Sequence, residues 1–215
     1  MHASQTRHLS LLVFCICLLI GNQAHSQDVE PRRWTPLPVG MNVIGTAYAF
    51  STGDISFDPL LEVEDATVDM HTFLVSFTRS FGLFGRSARI DATVPWQHGT
   101  WNGLLQGMPA SVKRVGLADP SFRLSINLFG APALGMEELV KRAAAQPVNT
   151  VVGAAISLSA PFGDYLEDKL LNLGQNRYVI RPQLGVLHTR GKWSFELTGS
   201  TYFYTDNDDF FGGNT

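Results

Sequence analysis

Arginine and aspartate stand one residue apart in the segment Ser87–Trp96, "SARIDATVPW", as Arg89 and Asp91. In an extended chain that spacing puts a guanidinium and a carboxylate on the same face. The same register recurs elsewhere. Arg123 and Asn127 share a face of "PSFRLSINLFGAP" (Pro120–Pro132), Arg181 and Gln183 share one in "RPQLG", and Glu196 stands among small polar residues in "KWSFELTGS". Polar groups of both signs on one face of several strands can do two things. They can line a passage and select what moves through it, or they can pair across strands and fill an interior. The candidate lining is therefore Arg89, Asp91, Arg123, Asn127, Arg181, Gln183 and Glu196, with both roles open.

Catalytic patterns do not appear beside it. Downstream of residue 26 the histidines are His71, His98 and His188, and no two have metal-ligand spacing. No serine sits in a G-x-S-x-G turn. The acidic stretches "EVEDATVD" and "DNDDFFGG" could offer oxygen ligands to calcium, yet neither has the twelve-residue calcium-loop pattern, and both read as solvated loops. The site expectation is thus catalytic none, cofactor none and metal none, and the chain is not expected to be an enzyme.

The elements that must position these residues are strands. Met41–Phe50, Val68–Phe81, Ser87–Trp96, Pro120–Pro132, Val148–Phe162, Asn176–Thr189 and Lys192–Asp206 each alternate apolar with small or polar residues. Period-two alternation sustained over seven or more residues is a strand signal. Phe73, Val75, Phe77, Phe122, Leu124, Ile126 and Leu128 fall on the apolar side. One segment has a different period: Met136, Leu139, Val140, Ala143 and Ala144 lie at i, i+3, i+4, i+7 and i+8 in "MEELVKRAAA". That predicts a short amphipathic helix around 136–145, with Glu137 and Glu138 favourably placed in its first turn.

Two architectures accommodate such strands: a sandwich, whose apolar faces meet, and a membrane barrel, whose apolar faces meet lipid. The segments run to about ten to fifteen residues, against about five or six in globular sheets and about nine to eleven for a tilted bilayer crossing. Connections alternate between tight ("FGLFG", 81–85; "TRGK", 189–192) and long (51–66, 97–114, 163–175), as in outer-membrane barrels. Aromatics gather at strand ends, among them Phe81, Phe84, Trp96, Trp101, Tyr178, Trp193, Tyr202, Phe203 and Tyr204, as in interfacial girdles. The barrel is the expectation. A soluble secreted β-sandwich that binds a ligand is the alternative, and a barrel enzyme a more distant one.

Composition and targeting agree. Charged residues are 16% of the chain and the net charge is −3. The charge fraction is well under the roughly 25% of soluble domains, and no basic cluster suits nucleic acid. Arg7, an apolar run over Leu9–Ile20 and Ala24-His25-Ser26 read as a secretory signal cleaved before Gln27. Both cysteines, Cys15 and Cys17, lie inside that run. The expected organisation is a signal peptide at 1–26, a Pro-rich lead at 27–40 and a β-barrel domain at 41–215.

"GLADPSFRLSINLFGAPAL", "APFGDYLEDKLLNLGQNRYVIRPQLGV" and "GKWSFELTGSTYFYTDNDDFFGG" resemble the outer-membrane transporter family of the MetA pathway of phenol degradation. The likeness runs from about Met41 to the end. It implies an all-β, antiparallel transmembrane barrel in a Gram-negative outer membrane, passing aromatic or other small hydrophobic compounds. Its implied partners are the lipid bilayer, the barrel-assembly machinery and a small hydrophobic or aromatic substrate, with no nucleic acid. Single-chain bacterial barrels have an even number of strands, and seven are counted here, so a barrel truncated at its C-terminus is expected.

Overall fold

The structure, a computed structural model, describes residues 32–211. The expected signal peptide, its two cysteines and the cleavage before Gln27 lie outside the described residues, as do Gly212–Thr215. Trp34–Thr215 forms one compact unit, and its described part is a single antiparallel sheet curled into a half-barrel.

The strands are β1 (Asn42–Ile55), β2 (Val63–Leu83), β3 (Arg86–Leu105), β4 (Met108–Leu117), β5 (Ser121–Phe129), β6 (Val148–Ser159), β7 (Val179–Arg190), β8 (Trp193–Ser200) and β9 (Phe203–Tyr204). One helix, α1 (Met136–Ala145), joins β5 to β6. Along the sheet the order is β1-β2-β3-β5-β6-β7-β8. The two remaining strands extend this path. β4 pairs with the far half of β3 (Trp96↔Leu117 to Leu105↔Met108) while β5 pairs with the near half (Ala88↔Ile126 to Thr93↔Ser121). β4 and β5 are thus one stave interrupted at Ala118-Asp119-Pro120, where Pro120 has no N–H to give a ladder. β8 and β9 are likewise one stave along β7, interrupted at Thr201-Tyr202. Seven staves result, matching the seven alternating segments in the sequence.

Tight turns occupy one end of the sheet. Phe84 and Gly85 both have positive φ, 51° and 70°, the signature of a two-residue turn whose twist suits an antiparallel hairpin. Gly191 (φ 59°) turns β7 into β8, and α1 lies at the same end. None of the described residues of α1 is buried, and Met136 and Val140 keep their apolar side chains exposed.

The opposite end differs from expectation in one respect. Residues 97–114, expected as a long loop, are a β-hairpin that continues β3 and β4 around Gln106 and Gly107, again with positive φ (53° and 75°). Likewise β1 runs on to Ile55 and β2 begins at Val63, which leaves little of the expected 51–66 loop. Here the ladder outlasts the apolar alternation. At about 3.3 Å per residue, the 20-residue β3 far exceeds the about nine to eleven residues of a bilayer crossing. His98, inside the expected 97–114 loop, lies within β3.

Among the described residues the apolar faces meet no second sheet. Phe73, Val75, Phe77, Phe122, Leu124 and Leu128 are all exposed, as are Ile44, Ile90, Ile156, Leu184 and Leu197, so the sandwich alternative has no core to point to. An aromatic ladder tops this convex band. Tyr48, Phe73 and Trp96 stand side by side with ring centroids 4.9 and 5.8 Å apart, and Phe50, His71 and His98 form the next rung at 4.9 and 5.8 Å. Trp101, expected in such a girdle, is instead 8% exposed on the concave side.

Candidate functional site

Register decides which side chains share the concave face. Asp91 stands opposite Thr78 on one side and Arg123 on the other; Arg123 stands opposite Ser157, and Ser157 opposite Arg181. The neighbouring row runs Ser80, Arg89, Ser125, Ala155, Gln183 and Ser200. Two adjacent rows across the staves therefore hold five of the seven candidate residues. Asn127 is one row nearer the turn end, opposite Gly153, and Glu196 is opposite Leu187 on the same face.

The charges are interlocked. Asp91 accepts from the Thr78 hydroxyl at 2.7 Å, and its other oxygen lies 3.1 Å from Arg89 Nε and 3.8 Å from an Arg123 terminal nitrogen. Arg123 Nε donates to Gln183 Oε1 at 3.1 Å, with both residues buried. Arg181 is farther out along the row. It donates to Ser200 Oγ at 3.0 Å and lies 4.7 Å over the Tyr202 ring. Glu196 is exposed near the β8 edge. The structure thus joins Arg89, Asp91, Arg123 and Gln183 in one network, sets Asn127 beside it, and leaves Arg181 and Glu196 on the same face but outside it.

Sequence reasoning missed the residue at the centre of this face. The lead before β1 crosses the turn end, held by Val39 N–H to Leu134 O (2.8 Å), Gly40 N–H to Ser80 O (3.0 Å) and a short hydrogen bond from Ser80 Oγ to Pro38 O. It delivers Trp34 into the concavity, where the indole is 1% exposed. Trp34 Nε1 donates to Thr198 Oγ1 at 2.8 Å, and Arg123 lies 5.3 Å over the ring. The ring rests on two glycines that face each other across β6 and β7, Gly153 and Gly185. A Cβ on Gly153 would stand 2.2 Å from the indole, and one on Gly185 2.0 Å. Val151, Ala155, Leu187 and Ala131 complete a small apolar cluster around it. The only sequence signal is a tryptophan in a Pro-rich lead and two glycines in otherwise alternating strands, and their pairing is visible only once the register is known.

At the loop end, segments distant in sequence converge on a polar clasp. Asp119, in the β4–β5 interruption, accepts from Gly163 N–H (2.9 Å) and Gln175 N–H (2.7 Å). Asp164 accepts from Leu117 N–H at 2.9 Å and returns its own N–H to Leu117 O at 2.7 Å. Asn207, 2% exposed, donates to Tyr165 Oη (3.0 Å) and Gln175 O (3.2 Å) and accepts from Asn176 Nδ2 (2.9 Å). These are the "GLADPSF", "APFGDY", "GQNRY" and "TDNDDF" pieces of the sequence. Asp119 and Asp164 bind the protein's own backbone, and Asn207 binds a backbone carbonyl and neighbouring side chains. Among the described residues, no three His, Cys, Asp or Glu side chains gather to hold an ion, and no helix is long and apolar enough to cross a membrane.

The sequence pattern of the family described as "Putative MetA-pathway of phenol degradation" matches residues 45–215. Among solved structures, the fold is similar to that of an outer membrane channel from Pseudomonas putida F1, with a TM-score of 0.60 and 24% identity. That likeness covers 86% of this chain and 64% of the channel, so the chain spans about two thirds of the length of the protein it matches. No curated protein matches the chain.

Proposed function

The chain belongs to the MetA-pathway phenol-degradation family, and from that premise we propose that it is an outer-membrane channel for small aromatic or other hydrophobic compounds. The observation that carries this reading is the inversion of the sheet. Large apolar side chains are exposed on the convex face, while arginine, aspartate, asparagine and glutamine are drawn in on the concave one. A lipid surround makes the first arrangement favourable, and a hydrated or internally paired lumen makes the second.

In this reading Arg89, Asp91, Arg123 and Gln183 form the wall of the passage, with Asn127, Arg181 and Glu196 along it. The network is also the interior filling that holds the staves in register, so lining and stiffening are two aspects of one cluster. Trp34 narrows the passage from the turn end, which on the barrel pattern faces the periplasm. Insertion would depend on the barrel-assembly machinery, and the bilayer would contact the convex band.

Planar-bilayer recording tests this. Assembled as a closed barrel, with closure shown by a heat-dependent gel shift, the protein should conduct, and Trp34→Ala should raise the unit conductance at least about twofold, because the buried indole occupies the concavity beside Arg123. Absence of current from both proteins would defeat the channel reading.

A further inference from the structure

The protruding hairpin of β3 and β4 encloses something the lumen does not explain. On its concave side lies a cavity of about 320 Å³, at the small end of ligand sites. Its walls are apolar: Phe57 and Leu61 from the β1–β2 connection, Trp101 from β3, Leu170 from the β6–β7 loop, and Phe211 beyond β9. The Trp101 ring folds back over Gly99, where a Cβ would stand 2.5 Å from it.

Two cations stand in this wall, Arg114 and Lys169. Lys169 is bound to Asp168 at 2.6 Å, and that hydrogen bond, with the charge of Arg114 adding to it, holds the Asp168 carboxyl below its ordinary range, so one carboxylate serves both cations. Arg114 donates instead to the carbonyls of Leu171 (3.0 Å) and Lys113 (3.1 Å). Those neutral acceptors fix the guanidinium without cancelling its charge. With two cations and one carboxylate the cluster carries a net charge of +1, and the cavity combines an aromatic and aliphatic body-site with an oriented, planar cation. A guanidinium fork matches a carboxylate, and the rings match a flat or short apolar body.

We propose that this cavity binds a small amphipathic carboxylate, its apolar part against Trp101 and Leu170 and its carboxylate on Arg114. The inference rests on the channel reading only in taking the loop end as the side of entry. Ten residues of β3 separate Trp101 from Asp91, about 33 Å of extended strand, so this site is distinct from the charged network below.

Calorimetric titration of the detergent-purified full chain with sodium benzoate, and separately with toluene, tests it. Benzoate should bind at least about tenfold more tightly than toluene. Arg114→Gln should weaken benzoate about tenfold and leave toluene unchanged, Arg114→Lys should recover part of the loss, and Leu170→Asp should weaken both. Equal binding of benzoate and toluene to the unmodified protein, or benzoate binding indifferent to both Arg114→Gln and Leu170→Asp, would overturn the proposal. Binding of benzoate by a protein that shows no bilayer current would support the pocket and count against the channel, so the two readings fail separately.

Discussion

Leu124 and Arg123 are neighbours in the chain and opposites in every other respect. Leu124 is 42% exposed on the convex face and Arg123 is 9% exposed on the concave one. In a water-soluble sheet these values would be exchanged. The comparison shows that burial alone does not identify the core of this protein; what matters is the solvent on each side. With lipid against the convex face, as proposed, an exposed leucine is in its preferred medium, and the only demand is that no charge appear there. On the concave face each charge must find a partner, because the wall of the half-barrel shields it from water.

Substitutions that break the concave side should cost most. Asp91→Ala removes the carboxylate shared by Arg89, Arg123 and Thr78, taking one counter-charge from two guanidiniums on the concave face. A loss of about 3–5 kcal/mol is expected, read as a lowered midpoint of urea unfolding in lipid vesicles. Asp91→Asn keeps the shape and an acceptor and should lose less, and an equal loss would mean that charge is irrelevant to the network.

The convex side should follow. Leu124→Arg is expected to destabilise by about 2–4 kcal/mol if the position lies near the bilayer midplane, and by less toward either rim. The same unfolding assay in vesicles measures it. A neutral outcome would place Leu124 in water and erase the distinction between the faces.

Gly185→Ala makes the finest cut, because it changes a concave position by one methyl. That methyl would press on the Trp34 ring, and the indole must shift or leave. Overpacking of this kind costs about 1–3 kcal/mol, and the tryptophan emission should move to longer wavelength as the buried ring meets water. Unchanged emission would show that the seat is looser than the contacts indicate.

The parts of this fold legible in the sequence are those where the two faces differ in solvent. Ser121–Phe129 alternates so strictly that strand, direction of each side chain and exposure of Phe122, Leu124 and Leu128 all follow. The helix at 136–145 is equally plain from its 3.6-residue spacing. The hairpin tip at 97–114 was not legible, because Gln97, Gly99, Asn102, Gly103, Gln106 and Gly107 interrupt the apolar alternation, although backbone pairing continues. Among the candidate residues, the shared face of Arg89 and Asp91 could be read from spacing. That Asp91 meets Arg123, and Arg123 meets Gln183, depends on inter-strand register, which no local pattern encodes. Trp34 was hidden for a further reason: its seat is made of absences, the missing side chains of Gly153 and Gly185.

That seat bears on the order in which the molecule comes together. Every stave pairs with its neighbour in sequence, so the sheet can grow hairpin by hairpin with only short chain closures at each step. Trp34 breaks this sequence. Its bed lies on β6 and β7 and its hydrogen-bond acceptor, Thr198, on β8, more than a hundred residues downstream. A segment that precedes every described strand must therefore wait, undocked, until β6, β7 and β8 are in place. Burial of this one indole requires the pairing of β6, β7 and β8, and it reports that the wall around it has been built.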